Sequence, residues 1–408
     1  MSKIRLCEPA TCSACKACIN ICPKGAISME TNVLGYMYPK IDNRKCIECN
    51  LCQKTCPSLN KVSFNKPLKV FAAWSTSDND RYSSASGGIA TALYKTMVTK
   101  KAFFSGVKFD SQFYAYQDLY NNLDELSDLK NSKYVYSDMR NIYKKIRKVL
   151  ANGSVVLFIG TPCQCAGVKN FIPESMQTSL FLVDLICHGM CPSEYLVEHI
   201  KSIENEKNTK AEHISFRDPD TYTYTFTFTL RNSKNEKFYQ KKVLEDDVYQ
   251  IGYHKRVIYN ENCYSCIYAR AERCTDMTIG DFSGLGNIEP VKYDIRNVSC
   301  VLVNTTKGNR LVQFLQEENK AFFDERPVDE ALKFEQQLQR PSLPSVYRDK
   351  FLELYHSKGF EIAAKDALQK QILLNQFRSI LKITETRLLL SRLLPKKIKD
   401  IIRYLCKI

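Results

Sequence analysis

Apolar residues fall along this chain in several rhythms. Between about 69 and 325, short continuous apolar runs alternate with helical periods. "VFAAWS" reads as a strand, "SASGGIATALYKTMVTK" as a Gly-rich turn entering an amphipathic helix, "YKKIRKVLANG" as a helix ended by Gly153, and "SVVLFIG" as a buried strand. "SLFLVDLICHG" repeats that pattern with a strand ending at Cys187, "SCVLVNT" is a further strand and "KGNRLVQFLQEEN" a further helix. A period of two runs through "TYTYTFTFTLRNSKNEKFYQKKV" on both sides of "NSKNE" and predicts a solvent-facing antiparallel hairpin. From about 330 the pattern is helical. In "FRSILKITETRLLLSRLLPKKIKDIIRYLCKI" Leu and Ile keep helical spacing, Lys and Arg fall between them, and Pro395 should divide the segment into two helices. Ahead of 69 only "AISMETNVLGYMYPKID" shows a pattern, a short hairpin around Asn32 to Gly35, followed by the polar linker "NKVSFNKPLK".

Composition changes this picture at one residue type. The chain has 408 residues, 44% apolar and 25% charged, as a globular protein of two or three domains would. Eighteen of the residues are cysteine, too many for packing alone. No run of eighteen apolar residues and no apolar leader after "MSKIRLCEPATC" is present, so the expected compartment is the cytoplasm. Thiols stay reduced there, and a cysteine cluster then points to metal or redox chemistry rather than to disulfides. The net charge of +15 is compatible with nucleic acid, anionic lipid, an acidic partner or a plain solvated surface.

Residues 1–60 contain an internal repeat. Cys12, Cys15, Cys18 and Cys22 map onto Cys46, Cys49, Cys52 and Cys56 with one constant offset, and Pro23 and Pro57 close the two runs. The spacing C-x2-C-x2-C-x3-C-P builds a cubane 4Fe-4S cluster. Three neighbouring thiolates hold one face, and the fourth cysteine reaches the cluster of the other repeat. Cys12, Cys15, Cys18 and Cys56 are therefore expected on one cluster, and Cys46, Cys49, Cys52 and Cys22 on the second. Zinc would instead use separate C-x2-C knuckles. This block resembles the bacterial two-cluster ferredoxin family.

Of the remaining cysteines, Cys163 and Cys187 follow two buried strands, and Cys263 and Cys266 form a C-x2-C. Parallel strands deliver their carboxyl ends to one side, so these four could converge on a third cubane; a structural zinc or inert buried thiols would have the same spacing. "SASGGIATAL", "NSKYVYS", "FIGTPCQ", "DLICHG", "FRD", "CYSC" and "MTIGDFSG" occur in the order found in the family of coenzyme F-420 hydrogenase/dehydrogenase beta subunits, which residues 70–325 resemble. The resemblance implies a flavoprotein with FAD beside a 4Fe-4S cluster, held by Cys163, Cys187, Cys263 and Cys266. Cys165, Cys191 and Cys274 are then bystanders. Ser283 and Tyr222 stand where bacterial members often carry tryptophan; the single tryptophan here is Trp74.

A pyrophosphate needs backbone N–H groups at a helix start, which Ser84, Ser86, Gly87 and Gly88 offer; an ordinary capped helix is the alternative. Lys133 can neutralise phosphate, Tyr134 can stack, and Thr161 and Pro162 in "FIGTPCQ" complete the expected FAD set. No G-x-G-x-x-G follows a strand, which disfavours nicotinamide coenzymes. Asp281 reads as a turn former or a site residue, and His188 as a donor to a cluster sulfur or the cap of a strand.

The expected architecture is α+β or α/β in four parts: a two-cluster ferredoxin domain at 1–60, a flavoprotein core over 69–150 and 151–325, and a helical basic extension at 330–408. The expected function is an oxidoreductase relaying electrons, in either direction, between a ferredoxin-like donor, three 4Fe-4S clusters, FAD and an unidentified acceptor, a deazaflavin or another reducible small molecule. The alternative is an electron-transfer subunit of a larger complex. Nucleic acid is not an expected partner. Contact of the basic C-terminal helices with an anionic membrane surface is the second reading of that segment, beside docking on the core.

Overall fold

The structure is a computed structural model and describes residues 4–380; the expected break at Pro395 and most of the basic segment lie outside them. The N-terminal hairpin forms as expected from β1 (Ile27–Thr31) and β2 (Met37–Ile41), paired antiparallel from Ile27–Ile41 to Thr31–Met37. The Asn32 side chain closes it by accepting from the N–H groups of Leu34 and Tyr36.

The chain then lays down β3 (Lys69–Ser75), β4 (Phe103–Phe109), β5 (Ala115–Tyr120), β6 (Ser137–Asp138), β7 (Val156–Gly160) and β8 (Leu180–Leu185). A separate three-stranded sheet follows: β9 (His213–Ser215), β10 (Phe228–Arg231) and β11 (Lys237–Lys241), in the order β11-β10-β9. The chain returns with β12 (Met277–Asp281), β13 (Ser299–Val303) and β14 (Ala321–Arg326) to complete a nine-stranded mixed sheet, β14-β3-β13-β12-β8-β7-β4-β5-β6. Strands predicted from both halves of the core share this one sheet.

At its centre β4, β7, β8 and β12 run parallel. Strands buried on both faces read as continuous apolar runs, which is why β7 and β8 are visible in the sequence. One face packs under the helices Ile89–Thr99 and Thr306–Glu317, the other under Ile142–Ala151 and Pro162–Phe171. β13 is antiparallel to both β12 and β3, so β3 also points its carboxyl end to the edge where β7, β8 and β12 end. Open α/β sheets bind ligands at that edge.

Two expectations shift. The alternating segment begins as a 3-10 turn at Thr223–Thr225, and its first strand starts only at Phe228. That strand is buried on both sides. Phe228 and Leu230 enter the core, while Thr229 donates to the buried Asp218 carboxylate at 2.9 Å, so the first strand of the hairpin does not face solvent, whereas the second keeps Lys237 and Gln240 exposed. β8 ends at Leu185, which leaves Cys187 in the turn beyond it. Among the described residues no helix is long and apolar enough to cross a membrane.

Candidate functional site

The repeat has a repeated backbone. Ala14 and Lys16 in the first half, and Glu48 and Asn50 in the second, all adopt left-handed φ between 52° and 61°. Each pair curls its loop inward before a five-residue helix, Ala17–Ile21 or Leu51–Thr55. Holding non-glycine residues there costs about 1 kcal/mol each, strain that an enclosed ligand can offset. The loops surround two small spaces. Cys12, Cys15, Cys18 and Cys56 line one; Cys22, Cys46, Cys49 and Cys52 line the other. The crosswise grouping expected from the spacing is the grouping the fold produces. Burial pushes the Cys15 thiol up to about 11, so without a cation it stays protonated.

The two spaces differ in what lies behind them. The Cys12 set rests on the core: the Tyr143 hydroxyl donates to Cys15 O at 2.6 Å and the Tyr136 hydroxyl to Ala14 O at 2.8 Å. A Cβ on Gly167 would stand 2.7 Å from the Tyr143 hydroxyl and 3.3 Å from Cys15 Sγ, so glycine sets the closeness of this contact. Lys16 pairs with Asp138 at 2.7 Å, and the hairpin tip is held by the Tyr195 hydroxyl donating to Leu34 O and by Arg348 donating to the Tyr36 hydroxyl, both at 2.7 Å.

Directly behind Cys15 stands the third group of thiols. Ser13 lies beside Cys15, and the charges of Cys15 and Cys163 would interact. Cys187 and Cys263 each lie within electrostatic range of Cys163 and Cys266, which brings together the first turn of the helix Pro162–Phe171, the turn after β8 and the 263–266 segment. Burial pushes Cys163 up to about 11 and raises Cys187 and Cys263 as well. The neighbouring cysteines are otherwise engaged. Cys165 faces Val183 O at 3.5 Å, Cys191 meets Tyr134 O at 3.1 Å and the Tyr249 hydroxyl at 2.8 Å, and Cys274 faces Pro162 O at 3.9 Å.

Cys187 also lines a cleft of about 590 Å³ at the carboxyl edge of the sheet. Ser84, Ser86, Gly88, Lys133, Tyr134 and Thr161 line it too; Gly87 and Pro162 do not. Gly87 instead lies against the sheet, where a Cβ would collide with Ala73 O, and its N–H donates to Ser299 Oγ at 2.8 Å. Asn297 donates to the Thr223 hydroxyl at 2.8 Å and reaches Ser84 O at 3.4 Å, so the loop before the helix Ile89–Thr99 is moored from below. Burial pushes Lys133 down to about 8, and its amine donates to Lys130 O.

Sequence reasoning does not single out several other cleft residues. Arg217 grips Asp281 with two hydrogen bonds of 2.6 and 3.2 Å, donates to Ala85 O and to the Tyr134 hydroxyl, and lies over Phe226. Asp281 is thus a partner of Arg217 and not merely a turn former. His254 is pushed down to about 3 by burial and by Arg217, so it is neutral. His188 stands half exposed in the cleft, its Nε2 4.0 Å from Glu335. Six buried polar atoms on the cleft wall have no partner among the described residues: Ser84 Oγ, Gln117 Oε1, Asn131 Oδ1, His254 Nε2, Arg256 Nε and Gln336 Nε2. Buried polar groups are rarely left unpaired, and a polar ligand in the cleft would satisfy them. The "FRD" and "GDF" blocks are the available signal for the Arg217–Asp281 pair. Trp74 packs on Tyr293 and Arg81, and Ser283 bonds Glu335 at the cleft wall.

Paired cysteine loops seated against an α/β sheet define an iron–sulfur protein of the electron-transfer class. Residues 11–60 match the 4Fe-4S dicluster domain, and residues 153–328 match the C terminus of the coenzyme F420 hydrogenase/dehydrogenase beta subunit. The similarity thus falls in two separate stretches, the dicluster domain lying ahead of the region that resembles those beta subunits. The chain is similar to a subunit of the F(420)H(2) dehydrogenase of Methanosarcina mazei, 20% identical over 189 residues, which is 43% of this chain and 53% of the relative. The chain thus spans about half the length of that relative. The VorC subunit of ketoisovalerate oxidoreductase from Methanothermobacter marburgensis is 36% identical over 53 residues, 12% of this chain and 67% of the relative. Among solved structures, a chain of the F420-reducing NiFe hydrogenase complex from Methanosarcina barkeri aligns with TM-score 0.45 and 16% identity, over 79% of this chain and 93% of that one.

Proposed function

We propose that this chain is an iron–sulfur flavoprotein oxidoreductase passing electrons between a ferredoxin-like protein and a reducible small molecule in the cleft. The observation that carries this reading is the arrangement of thiols. The Cys46 set lies outermost, the Cys12 set sits against the core, the Cys163 set follows, and Cys187 opens onto a cleft with six unpartnered buried polar atoms among the described residues. Cys22, Cys46, Cys49 and Cys52 would hold one 4Fe-4S cluster, Cys12, Cys15, Cys18 and Cys56 another, and Cys163, Cys187, Cys263 and Cys266 the third. Ser84, Ser86, Gly88, Lys133, Tyr134 and Thr161 would hold FAD. Cubanes carry single electrons and a flavin exchanges one electron for two, which is the chemistry these groups supply when bound.

The side chains provide placement. Tyr143, Tyr136 and Lys16 fix the Cys12 set against Cys163. Arg217 ties the Ser84 loop, Tyr134 and Asp281 into one wall. Lys133 brings a buried amine toward an anionic ligand, and His254 stays an uncharged hydrogen-bonding group at all working pH values.

The test is anaerobic purification with iron, sulfide and flavin counts. About twelve irons and one flavin per chain agree with the reading; zinc in place of iron, or no flavin, defeats it. A second reading is an electron-transfer subunit whose substrate site lies on another polypeptide, which the relatives' description as subunits favours. Flavin in the isolated chain that bleaches with reduced ferredoxin, and is reoxidised by a small acceptor without other proteins, selects the first.

A further inference from the structure

We propose that Cys7 is a reserve ligand of the Cys12 set, able to replace Cys56 or Cys12 on the cluster held there. The proposal rests on the ferredoxin reading above. Cys7 lies outside the repeat. The offset that maps Cys12 onto Cys46 places Ile41 where Cys7 would have its counterpart, and among the described residues no fifth thiol lines the space of the Cys46 set. In the structure Cys7 lines the same space as Cys12, Cys15, Cys18 and Cys56, and its thiol lies within interaction range of those of Cys12 and Cys56. It is half-buried there.

Its segment suits the role. Residues 4–8 have no helix or strand, so Cys7 can move without breaking a ladder. The segment is nevertheless fastened on either side. Ile4 is buried with Cys18 and Cys52, Gln53 donates to Arg5 O at 2.8 Å, and the Pro9–Thr11 turn follows. Five thiols around a space for four ligands leave one as a spare. The exchange is electron-neutral. An Fe–S bond to Cys7 forms, the bond to Cys56 breaks, and the proton lost by Cys7 passes to the freed Cys56 thiolate.

The test uses the full chain reconstituted anaerobically, with iron and sulfide counts and electron paramagnetic resonance of the reduced protein. Cys7→Ala should keep the full iron content. Cys56→Ala should also keep it, with a changed resonance for the Cys12-set cluster. Cys7→Ala with Cys56→Ala should lose about four irons while the other signals persist. The proposal is overturned if Cys56→Ala alone loses as much iron as the double variant, or if Cys7→Ala alone loses a cluster. Should Cys56→Ala fail to fold, Cys12→Ala with and without Cys7→Ala decides the same question. A wild-type chain with no cubane signal from the Cys12 set overturns the ferredoxin reading itself, and this proposal with it.

Discussion

The two halves of the N-terminal repeat have the same spacing and the same loop conformation, yet their surroundings are opposite. Cys15 is buried under Tyr143 and Gly167, while its counterpart Cys49 is exposed. Ala17 is fully buried against the core; its counterpart Leu51 is 37% exposed, beside Ile47 at 56%. Local sequence fixes how each loop folds around a ligand, and docking alone decides which loop faces inward. One repeat thereby acquires polarity, an outer site open to a partner and an inner one committed to the core.

Several measurements break or sharpen this contrast. The largest effect belongs to Cys163→Ala. It should remove about four irons and abolish flavin bleaching by reduced ferredoxin, while the two N-terminal signals remain; anaerobic absorption and resonance spectra check this, and bleaching at the wild-type rate would mean that electrons bypass the inner site. Gly167→Leu comes next. The added side chain drives into the Tyr143 hydroxyl and Cys15 and should destabilise the chain by about 1–3 kcal/mol in denaturant titration. It should also raise the reactivity of Cys15 toward thiol reagents and leave that of the already exposed Cys49 unchanged. Tyr143→Phe leaves Cys15 O without its donor at a cost of about 1 kcal/mol. An equal loss from altering the second loop's surroundings would erase the contrast.

The smallest effect is a pH dependence in the helical layer, away from both halves. His199 bridges Asp247 at 2.9 Å and Glu361 at 2.8 Å, and these partners raise it from 6.5 to about 9 against the opposing desolvation. A raised histidine stabilises the fold fully below its unfolded value and loses that contribution as pH rises through the folded one. The unfolding midpoint should therefore decline between about pH 6.5 and 9, and His199→Gln should flatten that decline; desolvation of the buried pair keeps the net effect modest.

The ferredoxin loops are legible in the sequence because their ligands lie close together and spacing alone fixes the chemistry. Cys163 and Cys187 are legible for a different reason: each follows an apolar run that only a buried parallel strand explains. The cleft is harder to read. Arg217 and Asp281 meet only because β12 inserts between β8 and β13, and no local pattern announces that order. Gly87 reads in the sequence as making room for a ligand, whereas the space it leaves is filled by Ala73 O. The alternating run through Phe228 resembles an exposed strand because threonine is polar in a sequence, and here the Thr229 hydroxyl faces a buried carboxylate. Cys7 lies outside the repeat and carries no periodic signal.

The hairpin tip held by Tyr195 and Arg348 has a consequence for tempo. A block bolted at both its tip and its base cannot swing, so the gap an electron must tunnel across is a fixed length rather than one sampled by diffusion. Internal transfer in this chain should therefore ignore solvent viscosity, and only the encounter at the outer loop should slow in glycerol.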